Sequence, residues 1–472
     1  FATIKPWTIY IWNSLYERNQ FLPNKTPFET YHTVGGHVFA KAGLHKWVIS
    51  EDYTSLYPFC MICLNLSPET YVLRDEVPND LKKLTESFYR YAEDETKTFC
   101  EDIYIALPQV HKEAITKLLQ KYNFTMAPNG SFYRKDVLGI MTELVKNIYL
   151  ARKDFKNIML KAKGEVEKAK TNNEDYTKFS DIVNVNDINQ YVEKIKINAV
   201  YGAVASTTMN ISNSDISNAI TSYGRLNIKL TTQRIVDEIN LLNPEFKTYT
   251  VQQDTDSCYL SLEGIVDYLV KQKPDATREE KVKFLENFMS KVVTPIIAKS
   301  STEISNMFNA YEDGMKMDAE IIADVFVSTG KKRYAARIWW DEGTTLSKPK
   351  KKVVGLDIKR SDTPTDARIK LGSILDYIFE DNNKELINMI KTYEIEMKQL
   401  PIDLVAIPTG VSDITKYEGV TKSVPMHVRA SLVFNKYIND NNMKQYMKIN
   451  NGDKIKYIFL KKNNITPSEV IA

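Results

Sequence analysis

The spacing of apolar positions changes several times along the chain, and each change predicts a different kind of element. Up to about residue 130, short β-type runs such as Lys46-Trp47-Val48-Ile49-Ser50 alternate with helical stretches such as Asp80 to Tyr91. This opening portion reads as α+β. From about Leu138 to Lys170, Leu144, Ile148, Ala151, Phe155, Ile158 and Ala162 recur at helical spacing with few breakers. The polar segment Thr171-Asn172-Asn173-Glu174-Asp175 interrupts this pattern, and a second helical stretch runs roughly from Val185 to Tyr201. Together they predict a projecting helical hairpin. Strand and hairpin signals return from Thr248 to Leu262 and from Ile321 to Trp340. Beyond about Asp362 the pattern is mostly helical and ends in mixed short segments. No internal repeat or low-complexity segment is present.

Length and composition narrow the class without fixing it. The 472 residues suffice for about three ordinary domains. Hydrophobic residues make up 43% of the chain and charged residues 26%, and no apolar run approaches the roughly 18 residues that span a bilayer. A soluble, cytoplasmic protein without a membrane partner is expected. Lys and Arg number 63 against 60 Asp and Glu, a net charge of +3, so composition makes no case for a polyanionic partner. Basic surface must be local. Lys146 to Lys170, with Arg152, Lys153, Lys156, Lys161 and Lys163, reads most simply as a solvated helix face, and Lys348, Lys350, Lys351 and Lys352 as a solvated loop. Cys60 and Cys63 form a CxxC, but no second Cys or His pair stands at zinc-site spacing, so the cysteines, Cys100 and Cys258 included, read as core residues of a reduced protein. Phe1 opens the chain without an initiator Met or a targeting segment, which reads as a fragment or processed piece.

The most informative string is Tyr249-Thr250-Val251-Gln252-Gln253-Asp254-Thr255-Asp256-Ser257-Cys258-Tyr259-Leu260, two β-prone runs around a tight acidic turn. On strand alternation Asp254 and Asp256 project the same way. Paired hard carboxylates with room for phosphate oxygens suit Mg2+. On these residues alone an ordinary turn has equal weight. A third carboxylate, Asp52, follows a strand-like run and either caps the next helix or binds something. In-line phosphoryl transfer needs carboxylates from separate segments: one metal lowers the pKa of an attacking 3′-hydroxyl and the other steadies the leaving pyrophosphate. Asp52 and Asp256 meet that need.

Three strings, DYTSLYP at Asp52 to Pro58, KIKINAVYG at Lys194 to Gly202 and DTDS at Asp254 to Ser257, resemble the ordered polymerase motifs of family B DNA polymerases. Gly35-Gly36, Met317-Asp318-Ala319-Glu320 and Lys331-Lys332-Arg333-Tyr334 add to the likeness. LSPETY, TGKKRYAARIWW and VPMHVRASLVFN carry a narrower resemblance to the replicative polymerases of T4-like tailed phages. The resemblance implies a right-hand architecture: an antiparallel-sheet palm from residues 1–137 and 205–362, helical-hairpin fingers at 138–204 and a mainly helical thumb at 363–472. It implies DNA synthesis from dNTPs on primer-template DNA, with two Mg2+ ions, for which Mn2+ can substitute. Asp52 and Asp256, with Tyr53 completing the metal set, would bridge both ions, while Asp254 sits farther off. Arg152, Lys156 and Lys194 match the cations that hold the incoming triphosphate, and Ser55, Leu56 and Asn198 lie with them. The spacing agrees independently, since Arg152 and Lys156 share one helical face, and Lys194, Asn198 and Tyr201 share another. Tyr57 matches the residue that excludes a ribose 2′-hydroxyl. Lys331, Lys332, Tyr334, Tyr201, Gly202, Gly35 and Gly36 match DNA contacts, and Asp318 and Glu320 are either auxiliary carboxylates or structural ion-pair partners.

The chain departs from the family pattern at Phe59, where Ser is usual, and at Gln253, where a small or aromatic residue is common. Neither is a metal ligand. The family's amino-terminal exonuclease region and longer thumb with a clamp-binding tail find no match, so the expectation is a monomer without proofreading, with a separately encoded exonuclease segment and a sliding clamp as candidate partners. The rival classes are a metal-dependent nuclease and a non-catalytic half of a split polymerase.

Overall fold

The computed structural model describes residues 4–21, 33–90, 99–420 and 422–459, apart from the side chains at positions 167 and 171. The chain divides into two compact units, Phe1–Asp324 with Ile338–Pro349, and Val325–Arg337 with the chain from Lys350 onward. It is a mixed α+β protein. The long strands Met317–Gly330, Arg333–Asp341 and Thr344–Val354 contribute residues to both units.

The sheet of the first unit is built in the order Val38–Ala40, Tyr249–Asp254, Ser257–Ser261, Gly43–Tyr53 and then the beginning of Met317–Gly330. The pairings of the first four strands are antiparallel, with Val38 opposite Asp254, Gln253 opposite Cys258 and Val48 opposite Ser261. Strand Gly43–Tyr53 turns from exposed to buried along its length, and Val48, Ile49, Ser50 and Glu51 are all buried. Its apolar residues merge into one large core with helix Leu56–Leu64, which holds Cys60 and Cys63 fully buried and unbridged. The CxxC is therefore packing, as expected.

Helix Ser214–Leu242 runs through this core and was not legible as a periodic pattern. It is buried on nearly every side through Ile228, including Ser217, Asn218, Thr221, Ser222 and Asn227, so no polar face marks its period. Asn213 caps it, accepting hydrogen bonds from the main-chain nitrogens of Asp215 and Ile216. Asp215 receives a fork from Arg90 at 2.9 and 2.8 Å and a further bond from the Tyr71 hydroxyl. The helix expected from Asp80 to Tyr91 spans only Asn79–Thr85; the chain continues in turns to Arg90, left-handed at φ 49°, whose side chain makes the fork to Asp215, and Tyr91 lies outside the described residues.

The two long helices Ile140–Asn172 and Thr177–Ala205 form the expected hairpin, longer at its second arm than the pattern indicated. Asn173, in a left-handed conformation, ends the first helix by donating its main-chain N–H to the carbonyls of Ala169 and Lys170. Helix Ile4–Glu17 packs on the second arm, where the Trp7 indole donates to the Lys196 carbonyl at 2.9 Å.

In the second unit Val325, Ala335, Leu375 and Phe379 form one small core under helix Thr365–Phe379. Val411, Ile414, Val424 and Val428 form another beside the two-stranded sheet Ile407–Gly410 and Lys454–Tyr457. Helices Asn383–Met397 and Met426–Asp440 complete the mainly helical tail that the pattern predicted. Lys348, Lys350, Lys351 and Lys352 do not form a loop. They lie in strand Thr344–Val354 at the end of the strand order, where lysines and Pro349 discourage further strand pairing.

Candidate active site

Asp52 and Asp256 come together because the sheet pairs two distant segments. Asp52 stands opposite Ser257, and the main-chain N–H of Tyr53 donates to the carbonyl of Asp256 at 2.8 Å. Both carboxylates are partly exposed at this end of the sheet. Asp52 does not cap the following helix. That helix starts at Leu56, and its cap residue is Ser55, left-handed at φ 57° with no side-chain capping bond. Below the strand Tyr53 is buried and donates to the Thr231 hydroxyl at 3.0 Å, which fixes the end of the strand on helix Ser214–Leu242.

Asp254 and Asp256 do not share one strand, so strand alternation does not relate their side chains. The strand ends at Asp254, Thr255 and Asp256 form the turn, and Ser257 begins the return strand. Thr255 sits at φ 62°, a region that a β-branched residue reaches only against steric cost, of about 1–2 kcal/mol. Its N–H donates to the His37 carbonyl at 2.8 Å. The turn is thus fastened to the loop that contains Gly35 and Gly36.

A second group of residues surrounds Tyr57. Its ring lies 5.1 Å from that of Tyr201, centroid to centroid, and burial pushes its hydroxyl pKa up. A Cβ on Gly224 would stand 3.4 Å from Tyr57 Cε1, so helix Ser214–Leu242 backs the ring closely, while Leu56 is buried against the same glycine. Arg152, half buried, donates from Nη1 to the Ser55 hydroxyl at 3.2 Å, and its Nε is buried without a hydrogen-bond partner among the described residues. Lys156, Lys194, Asn198 and Gly202 are exposed on the helical hairpin, the last three on the arm that carries Tyr201. Hence the structure unites Asp52, Ser55, Tyr57, Arg152, Tyr201 and Asp256 in the first unit.

Asp318 and Glu320 are tied to the neighbouring strand by hydroxyl donors, Thr54 to Asp318 at 2.6 Å and Ser50 to Glu320 at 3.0 Å. In the second unit Lys331 and Lys332 are exposed at the turn before strand Arg333–Asp341, with Lys332 left-handed at φ 59°. Tyr334 is buried, its ring stacked on Phe326 at 4.8 Å.

Sequence reasoning missed two buried groups. Glu51 is 1% exposed beside Asp52, its Oε1 has no hydrogen-bond partner among the described residues, and burial with the nearby Asp318 raises its pKa to about 8. Glu101 and Arg225, both buried, form a forked ion pair at 2.8 and 2.9 Å, and Lys229 adds a bond to Glu101 at 3.0 Å. The cations hold the Glu101 pKa down against the opposing effect of burial. Nothing in the spacing of residues 101 and 225 announces that pair.

All-oxygen carboxylate donors such as Asp52 and Asp256 suit a hard divalent ion. Among the described residues no group of three or more His, Cys, Asp or Glu side chains has metal-binding geometry, so further ligands to an ion here would come from main-chain or substrate oxygens. No described helix is long and apolar enough to cross a membrane.

The model of DNA polymerase family B matches residues 9–268. The chain is similar to a DNA-directed DNA polymerase of Escherichia phage RB69, with 26% identity across 93% of this chain and 51% of that protein. It is also similar to one of Enterobacteria phage T4, with 24% identity across 100% of this chain and 54% of that protein. A DNA polymerase delta catalytic subunit of Arabidopsis thaliana is 26% identical over 64% of this chain and 21% of its own length. The chain thus spans about half the length of the phage relatives it matches.

Proposed function

The chain belongs to DNA polymerase family B, and from that membership we propose that it performs template-directed DNA synthesis, transferring a deoxynucleotidyl group from dNTP to a primer 3′-hydroxyl. The observation that carries this reading is the junction of Asp52 and Asp256, carboxylates of two distant segments held together by the bond from Tyr53 N–H to Asp256 O at 2.8 Å. Residues 1–137 with 205–362 act as palm, 138–204 as fingers and 363–472 as thumb.

The residues take complementary parts. Asp52 and Asp256, with the main-chain carbonyl of Tyr53, would hold two Mg2+ ions, or Mn2+ in their place, which would supply a lowered pKa at the primer hydroxyl and charge compensation at the leaving pyrophosphate. Arg152, Lys156 and Lys194 receive the triphosphate, and Asn198 lies on the same face as Lys194. Lys156 and Lys194 are exposed, whereas Arg152 is already bonded to Ser55. Lys331, Lys332, Gly202, Gly35 and Gly36 contact the primer-template, largely through phosphates and the minor groove, where readout is sequence-tolerant. Tyr201 supports the contacts of the first unit, and Tyr334 those of the second.

Tyr57 stands under the incoming sugar and excludes a 2′-hydroxyl. Replacing it with Ala is expected to raise the kcat/KM for ribonucleotides relative to deoxynucleotides by about two orders of magnitude, because a contact-built filter discriminates by several kcal/mol only while it fills the space. Single-nucleotide insertion with paired dNTP and rNTP substrates measures this. Unchanged selectivity would remove the assignment. The reading as a whole is tested by primer extension with Mg2+ and all four dNTPs. Extension that follows the template supports it, while shortening of DNA without dNTPs would indicate a nuclease instead.

A further inference from the structure

The loop at residues 33–37 touches both the acidic turn and Tyr57, and it is clamped from behind. Arg225 is 2% exposed and uses its guanidinium on two sides. Its Nε and Nη2 donate to the Glu101 carboxylate at 2.8 and 2.9 Å, and its Nη1 donates to the carbonyls of Val34 and Gly35, both at 2.9 Å. On the far side of Gly36, the carbonyl of His37 accepts from Thr255 N–H at 2.8 Å, and the His37 ring is bonded to Gln253 at 3.0 Å. Gly36 is therefore pinned from both sides along the chain.

The space around Gly36 is already filled. A Cβ there would lie 2.7 Å from Thr255 Cγ2, 2.8 Å from Thr255 Oγ1 and 3.0 Å from the Tyr57 hydroxyl oxygen. A loop free to move would absorb such contacts by retreating. This one is held at Val34, Gly35 and His37, so the strain falls on Thr255 and Tyr57 instead. Tyr57 is itself backed by Gly224 and Tyr201.

We propose that the Glu101–Arg225 pair and Gly36 are positioning residues for sugar discrimination, acting by fixing the hydroxyl end of Tyr57. This inference rests on the polymerase reading above and deepens it. A group that excludes one hydroxyl by contact loses selectivity when it shifts by a few tenths of an ångström: outward it admits the ribose, and inward it also obstructs the deoxyribose. The arrangement uses all the geometric features of arginine, a fork for the carboxylate and a second pair of N–H groups for two carbonyls, which lysine cannot reproduce.

The test measures kcat/KM for a dNTP and its matching rNTP in single-nucleotide insertion by the full chain. Gly36→Ala is expected to lower the dNTP-to-rNTP ratio by about tenfold, less than the roughly hundredfold that a full ångström of misplacement brings. In a Tyr57→Phe background, which lacks the hydroxyl, the same change should alter the ratio less than about twofold. Glu101→Gln, which keeps the shape but weakens the clamp, should lower the ratio in the same direction by about threefold, and it serves alone if Gly36→Ala fails to fold. Equal losses for both nucleotides, or an unchanged ratio in Glu101→Gln with Arg225 still in place, would overturn the positioning role while leaving the polymerase reading intact. If the unaltered chain does not extend primers at all, the reading beneath the proposal fails and the proposal falls with it.

Discussion

Asp256→Ala is expected to lower the single-turnover rate of nucleotide insertion by about three orders of magnitude or more, with the fold unchanged. The carboxylate is partly exposed in a two-residue turn, and the contact that fixes the turn, Tyr53 N–H to the Asp256 carbonyl, uses the main chain and survives the substitution. Losing the side chain therefore removes the proposed metal ligand without removing the hairpin. Asp52→Asn should act similarly, since the charge, not the shape, is what an ion requires. Asp254→Ala should cost far less, about one to two orders of magnitude, because Asp254 ends the strand on the other side of the turn. Rapid-quench insertion assays with near-ultraviolet circular dichroism as a fold control separate these cases. Equal rates for Asp256→Ala and the unaltered chain would refute the catalytic assignment, and a ranking with Asp254 above Asp256 would require the two roles to be exchanged.

The second large effect is one of pH on stability. Burial raises the Glu51 pKa from 4.5 in an open chain to about 8 in the fold. Between those values the folded protein keeps a proton that the unfolded chain has released, so stability declines as pH rises, by up to about 1.4 kcal/mol per unit. Below that window, and above it, the contribution is flat. Glu51→Gln removes the ionisable group while keeping its shape, so the mutant should gain on the unaltered chain by several kcal/mol from pH 5 to pH 8. Denaturant unfolding at pH 5, 6.5 and 8 with EDTA present gives the three differences. Curves that stay parallel across this range would show that Glu51 is not held neutral.

Much of this was legible in the sequence where a local rule applied. The hairpin around Asp254 to Ser257, the helices on either side of Asn173 and the family itself followed from β-prone runs, helical period and ordered motifs. The failures share a cause: each concerned a tertiary contact that local pattern does not encode. The helix expected up to Tyr91 stops at Thr85, and the turns that follow carry Arg90 to its bond with Asp215, far along the chain. Helix Ser214–Leu242 has no periodic signature because it is buried on nearly every side. The lysines from Lys348 to Lys352 look like loop until an edge strand makes them useful as guards against pairing. Strand alternation misjudged Asp254 and Asp256 because Thr255 turns through a left-handed conformation. For the site, residue types pointed to the groups proposed above for the chemistry, but not to Glu101, Arg225 or Glu51, which are enclosed in the fold.

The pairing of strand Gly43–Tyr53 with strand Ser257–Ser261 also carries a consequence for synthesis on the ribosome. Ser261 donates its hydroxyl to the Lys46 carbonyl across 215 residues of intervening chain. Closing so long a loop is entropically costly and slow, and it cannot begin before the second strand has emerged. Throughout the translation of the intervening helices, the strand bearing Asp52 waits with an unpaired edge and the apolar residues Val48 and Ile49 unshielded. That interval, about ten to forty seconds at elongation rates of about 5–20 residues per second, is when a nascent chain is most exposed to aggregation and most in need of a chaperone.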